Sequence, residues 1–355
     1  MRAAILYGKE QVRVEEVEPR ALQPGEVRIQ IEAALTCGTD LKVFKRGYHA
    51  KMIVPPAVFG HELAGLISEV RDAERVAPGP GVAAPTQSWK VGDRVVVANS
   101  APCGNCFHCR NRQENLCEDL LFLNGAYAES IVVPSRLVEK NLLRLKPRTA
   151  FRDAALAEPL ACVVQGVADT QLRAGQNVLV LGAGPIGLMF VVLARNLGCD
   201  VTVAGRRAPR LEAARQLGAN HVIDIGDGHG LVTKVREASK TQFDAVIEAV
   251  GHPETWEASV HLVRKGGAVN FFGGCPAGTS ITLDTTMIHY SNLTLLASFH
   301  HTPRTVRRAL VFIEAGLVRA RDFVDGECPL TGLPELLRSM SAGNHAVKTL
   351  IRVRE

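Results

Sequence analysis

No stretch of the 355-residue chain reaches the roughly 18 uncharged apolar residues that a membrane-crossing helix needs, because Asn177 and Arg195 bracket the longest run. A helical membrane anchor is not expected. Lysine and arginine exceed aspartate and glutamate by 41 to 36, giving a formal charge of +5, but no basic block stands out. The excess reads as solvated surface that helps attract an anionic cofactor, without a nucleic-acid footprint. Nor is there a disulfide scaffold: 9 cysteines are too few for a chain this long, and the opening Met-Arg-Ala-Ala-Ile-Leu lacks the apolar core of a secretory leader. A reducing, cytoplasmic setting is expected. No repeat of fixed period is visible. With 46% hydrophobic and 22% charged residues the composition is that of an ordinary globular protein, and the length suggests about two domains.

What the chain does have is a dense thiol cluster, Cys103-Gly-Asn-Cys106-Phe-His-Cys109 followed by Cys117. Four thiols so close together, with Gly104 and Asn105 as small spacers, favour a closed tetrahedral zinc site over disulfides or an iron–sulfur cluster. The cluster sits in an excursion over residues 99–120. A second excursion, the Pro/Gly-rich run 77–85, is expected to be a surface loop.

Residues 1–150 carry short β-prone runs, with apolar alternation over 26–32 and a strand over 91–97 after a turn. They read as a β-rich, barrel-like domain. From about 151 the pattern changes to buried apolar strands (177–182, 200–204, 243–248, 267–272) alternating with helical segments at 186–197 and 210–217. Strand and helix in that order imply parallel βαβ units in a doubly wound α/β sheet over 151–290. Residues 291–355 are less regular, with helices expected at 305–315 and 334–340 and a closing strand over 348–353.

The first strand of the second region runs straight into Gly182-Ala-Gly184-Pro185-Ile186-Gly187 and a helix. In that context the glycines have separate uses: Gly182 for the tight turn, Gly184 for approach of a pyrophosphate, Gly187 for helix–strand packing. At the end of the second strand, where NAD sites place an acid against the ribose 2′-hydroxyl, the chain has Gly205-Arg206-Arg207. Without a carboxylate to repel a 2′-phosphate, and with two guanidiniums to bind it, NADP is expected in preference to NAD, with Arg206 the stronger contact. Arg210 fits either cofactor.

The segments Cys37-Gly-Thr39-Asp40, Gly60-His61-Glu62 and Ala157-Glu158-Pro-Leu-Ala-Cys162, beside the cysteine lobe and the glycine loop, resemble the zinc-dependent medium-chain dehydrogenases of the alcohol dehydrogenase type. The resemblance covers essentially the whole chain. Within that superfamily it is closest in pattern to the polyol branch, the sorbitol (iditol) dehydrogenases with their threonine and sugar dehydrogenase relatives. It implies a Rossmann domain plus a GroES-like catalytic domain, the latter formed by 1–150 and completed by 291–355. Two zinc ions per chain follow, structural at Cys103, Cys106, Cys109 and Cys117, and catalytic at Cys37 and His61, with Glu62 ligating directly or by rearrangement. Glu158 either binds the metal or holds its water. Asp40 resembles the carboxylate that fixes the His61 tautomer, and Thr39 the hydroxyl that relays a proton. Where many relatives continue that relay with a histidine, this chain has Leu41-Lys42-Val43. Phe44, Tyr48, Phe59, Phe122, Phe299 and His300 are candidates for the substrate pocket.

The expected activity is hydride transfer between a secondary alcohol (a polyol, sugar or related compound) and NADP, with a small-molecule substrate and a homo-oligomer, tetramer before dimer. An amino-alcohol substrate, such as threonine or an aminocyclitol, is the alternative. A catalytically silent NADPH-binding protein on the same scaffold is the reading from another class, disfavoured because Cys37, Thr39, His61, Glu62 and Glu158 are all present.

Overall fold

The computed structural model describes residues 1–49, 52–72, 88–343 and 346–354. The loop expected over 77–85 lies outside them. The chain forms two compact units, Met1–Glu158 with Thr302–Glu355, and Pro159–His301. Among the described residues no helix is long and apolar enough to cross a membrane.

The first unit is organised by the strand Val27–Leu35, whose alternating buried positions Val27, Ile29 and Ile31 point one face into the core. It pairs antiparallel with Glu62–Val70, with Ser130–Val133 and with the closing strand Lys348–Arg352, inside a seven-stranded sheet. A smaller sheet joins Gln11–Glu16, Arg2–Gly8 and Ala57–Val58. Register is what places the chemistry. Leu35 stands opposite both Glu62 and Leu350, so Thr36 and Cys37 leave the strand beside the residues that flank those two. Thr36 extends the closing-strand contact by accepting from Thr349 N at its hydroxyl (2.9 Å) and donating to Thr349 O (3.0 Å).

Phe44 and Phe59, expected at a substrate pocket, are core residues instead, 1% and 0% exposed and packed among Leu6, Ile29, Leu63 and Ile67. Burying an aromatic ring contributes on the order of 2–3 kcal/mol, so both serve packing. The strand expected over 91–97 begins only at Arg94, because Gly92 turns the chain with φ +90° and Val91 is exposed.

The second unit is a six-stranded parallel sheet ordered His221–Asp224, Asp200–Gly205, Asn177–Leu181, Phe243–Glu248, Val263–Phe271 and Thr294–Leu296. Val178, Leu179, Val180 and Leu181 are all buried, as a strand covered on both faces requires. Helix Pro185–Asn196 buries every residue from Gly187 to Ala194, so it is a core helix rather than an amphipathic one. Strand order reverses between Asp200–Gly205 and Phe243–Glu248 on either side of Asn177–Leu181. In open α/β sheets that reversal opens a ligand crevice at the carboxyl ends of the strands. The architecture is thus a Rossmann-type α/β unit and a β-rich unit.

Candidate active site and metal centres

Cys37 caps the helix Gly38–Arg46. Its Sγ accepts from Thr39 N (3.4 Å), and the Asp40 carboxylate reaches back to accept from Cys37 N (3.0 Å), a reciprocal capping box. The free amides of the first turn direct positive potential at the sulfur. Asp40 has a second duty: its Oδ1 lies 3.0 Å from His61 Nδ1, with both side chains buried. A neutral His61 therefore carries its proton on Nδ1 and keeps Nε2 for a ligand. Burial pulls the His61 imidazolium down, but the charges and hydrogen bonds of Asp40 and Cys37 outweigh it and hold the group well above its ordinary value. The Cys37 sulfur, a His61 nitrogen and a Glu62 oxygen lie within 4.8 Å of one another, a donor set with the mixed S, N and O chemistry of zinc.

Glu62 is not free to act alone. Lys348 Nζ donates to its two oxygens at 2.7 and 2.5 Å and to Thr36 O at 2.8 Å, and both residues are buried. Burial works against the ammonium, yet Glu62 and then Cys37 hold the Lys348 pKa above its usual value. A lysine opening an otherwise apolar closing strand is the one hint of this pair legible in the sequence, with none of its partner. Glu158, at the start of helix Ala157–Thr170, is buried, and its carboxyl is pushed up to about 7, chiefly by that burial. His61 opposes the shift and Glu62 adds to it, so Glu158 shares the field of this cluster. Thr39 is half-buried two residues from the Cys37 sulfur.

In the cysteine lobe, built on the paired strands Ser100–Ala101 and Leu121–Phe122, all four sulfurs lie within 4.8 Å of one another. The Cys103–Cys109 and Cys106–Cys117 sulfurs are each 3.9 Å apart. A tetrahedron with zinc–sulfur bonds of about 2.3 Å has edges of about 3.8 Å, close to these two separations. The Cys106 thiol is lowered to about 6, first by the backbone N–H of Cys109 and then by that of Glu118.

In the second unit, Gly182 adopts φ +107°, and a Cβ on Gly187 would stand 1.9 Å from Gly182 O, so neither position tolerates a side chain. A Cβ on Gly184 would meet nothing within 4 Å, which leaves the open cradle a diphosphate needs at the start of the helix opened by Pro185 and Ile186. Gly205 packs against Ala183 of the same loop, its Cβ position 2.9 Å from the alanine's. Arg206 and Arg207 are exposed and Arg210 is half-buried. Sequence reasoning missed the turn 226–230, over which the Arg206 guanidinium lies: a Cβ at Gly228 would be 2.1 Å from its Nη2. Of the other pocket candidates, Tyr48 is exposed and Phe122 half-buried in the first unit, while Phe299 is exposed and His300 half-buried with φ +62° in the second.

A family model described as alcohol dehydrogenase GroES-like domain matches residues 23–142, and one described as zinc-binding dehydrogenase matches 185–315. A D-altritol 5-dehydrogenase of Agrobacterium fabrum is 33% identical over 87% of this chain and 87% of its own. A sorbitol dehydrogenase of Bacillus subtilis is 27% identical over 99% of this chain and 97% of its own. Among solved structures, a chain from Sinorhizobium meliloti 1021 assigned as a zinc-binding dehydrogenase and bound to NADP superposes with a TM-score of 0.85, at 28% identity, covering 99% and 98% of the two chains. The fold and the two sulfur-bearing centres define a zinc-dependent oxidoreductase. The chain belongs to the zinc-dependent medium-chain dehydrogenases of the alcohol dehydrogenase type, in their polyol branch.

Two outcomes follow from these centres. Lys348→Met strands a buried carboxylate and should lower stability by about 3–5 kcal/mol, with Glu62→Gln in the same chain recovering most of the loss; additive losses in denaturant titrations would contradict the pairing. Cys106→Ser should remove one zinc per chain and lower the melting temperature, and a variant of unchanged stability would show that the lobe does not depend on its metal.

Proposed function

We propose that the chain oxidises a secondary alcohol of the polyol or sugar class, reversibly, with NADP as the preferred hydride acceptor. The observation that carries this reading is the convergence of Cys37, His61 and Asp40, with Thr39 beside the sulfur, in a buried cluster that also contains Glu158. Cys37 and His61 are assigned as metal ligands, Asp40 as the group that holds the His61 ring by Nδ1, and Glu158 as a ligand or the holder of a water. Zinc bound there would supply Lewis acidity, lowering the pKa of an alcohol hydroxyl at its open coordination position. Thr39 then passes the hydroxyl proton toward solvent. Lys348 neutralises Glu62, keeping that carboxylate beside the site but satisfied, so that it joins the ligand set only by leaving the ammonium. The four lobe cysteines hold a second, structural zinc.

The unit Pro159–His301 is assigned the cofactor. Its glycine loop is suited to the diphosphate, and Arg206, supported by the 226–230 turn, is suited to a 2′-phosphate, with Arg207 beside it and no acid at that strand end to favour NAD. The NADP-bound relative supports this choice. Altritol and sorbitol, the substrates named for two relatives, support a polyhydroxylated alcohol. A cytoplasmic homo-oligomer, a tetramer before a dimer, completes the proposal.

Coenzyme reduction measured with NAD and NADP against polyols, aldoses, threonine and simple alcohols tests the reading. Polyols should give the highest kcat/KM, with NADP ahead of NAD. Arg206→Ala should raise the KM for NADP by about tenfold or more, the worth of one charge-assisted contact, and leave that for NAD within twofold. An unchanged KM for NADP would refute the cofactor assignment.

A further inference from the structure

Tyr127 lies outside the ligand set, yet each part of it touches the frame that carries His61. Its N–H donates to Phe59 O (2.9 Å), and its carbonyl accepts from Ala4 N (2.8 Å). Its ring meets Phe59 edge-on, with centroids 5.7 Å apart, and lies flat enough on Gly60 that a Cβ there would stand 2.7 Å from Tyr127 Cδ2. Gly60 takes φ +87° and is followed directly by His61, so the ring sets the turn that delivers the imidazole. The hydroxyl, wholly buried, donates to Asp40 Oδ2 at 2.5 Å, with Leu35 O a more distant acceptor at 3.2 Å.

The Asp40 carboxylate is thereby pinned at both oxygens. Oδ1 faces His61 Nδ1, while Oδ2 takes Cys37 N and the Tyr127 hydroxyl. Two donors on Oδ2 fix the plane of the carboxylate, which leaves Oδ1 one orientation in which to hold the ring. With phenylalanine at 127 the same volume would be filled, but Asp40 would lose a donor in a place no water reaches.

We propose that Tyr127 is a positioning residue for the active-site metal, acting through Asp40 to hold the His61 imidazole in its ligating orientation. The inference rests on the reading of Cys37 and His61 as metal ligands. It differs from a packing role in depending on one O–H group rather than on the ring.

The test is removal of zinc from the full-length, zinc-loaded protein by dipicolinate, with the cysteine-lobe zinc of the same molecule as internal control. Tyr127→Phe should speed loss of the active-site zinc by about tenfold, the lower end of what partners behind a ligand contribute, and leave the lobe zinc unaffected. Asp40→Asn should speed it further, and Tyr127→Phe should add nothing in that background. Cobalt loaded at the same site should show shifted visible bands in Tyr127→Phe. Equal rates in wild type and variant, equal acceleration at both centres, or the same increment with Asn at 40 would each overturn the proposal. A wild-type protein that binds only the lobe metal would instead defeat the underlying ligand reading, whatever Tyr127 does, and the inference with it. Should Tyr127→Phe fail to fold, a chain carrying Tyr7→Phe, Tyr48→Phe and Tyr290→Phe can be grown with 3-fluorotyrosine at the one remaining phenol. The more acidic hydroxyl is the stronger donor, so slower zinc loss is expected and an unchanged rate overturns the proposal.

Discussion

The active-site half of the molecule depends on one buried ion pair, Lys348 with Glu62, formed between residues 286 positions apart. Two charges taken out of water carry a desolvation penalty of several kcal/mol each, which is offset only when they meet with good geometry and further hydrogen bonds. Here the geometry is two-pronged, and Thr36 O takes another ammonium proton. That arrangement needs two registers on Val27–Leu35 at once: the closing strand's, with Leu350 opposite Leu35, and that of Glu62–Val70, with Glu62 opposite Leu35, which also sets Cys37 near His61. The pair therefore links completion of the fold at its C-terminal strand to assembly of the site. A one-residue slip would send Lys348 to the other face of the sheet and leave Glu62 unpaired.

Charge within the site is partitioned in the same way. Asp40 is satisfied by Cys37 N, the Tyr127 hydroxyl and His61, and Glu62 by Lys348. Glu158 lies in the same field, and its carboxyl rises to about 7 chiefly through burial, with Glu62 adding to the shift and His61 opposing it. A divalent cation held by Cys37 and His61 would favour the ionised form of a carboxyl beside it.

Features encoded within a few residues were legible from sequence. The cysteine spacing, the glycine loop following a strand and the Cys37-Gly-Thr39-Asp40 segment each use neighbours on one turn or lobe, and the parallel α/β pattern announced itself by unbroken apolar strands. Helices expected at 186–197 and 210–217 correspond to Pro185–Asn196 and Ala208–Gln216. What stayed hidden depends on contacts between distant segments. Lys348 and Tyr127 acquire their parts only through partners 286 and 87 residues away, and the turn 226–230 only through Arg206. Phe44 and Phe59, expected at a pocket, lie in the core, because which face an aromatic side chain takes depends on the tertiary packing around it.

The central claim is that Cys37 and His61 hold a metal distinct from the one in the cysteine lobe and that alcohol oxidation depends on it. Zinc content per chain, measured beside alcohol-dependent NADPH formation in wild type and His61→Ala, tests it most directly. The account predicts two zinc ions in the wild type, one in the variant, and activity lost with the second. A wild-type chain holding a single zinc while still oxidising alcohols, or a His61→Ala chain that keeps both ions, would contradict it.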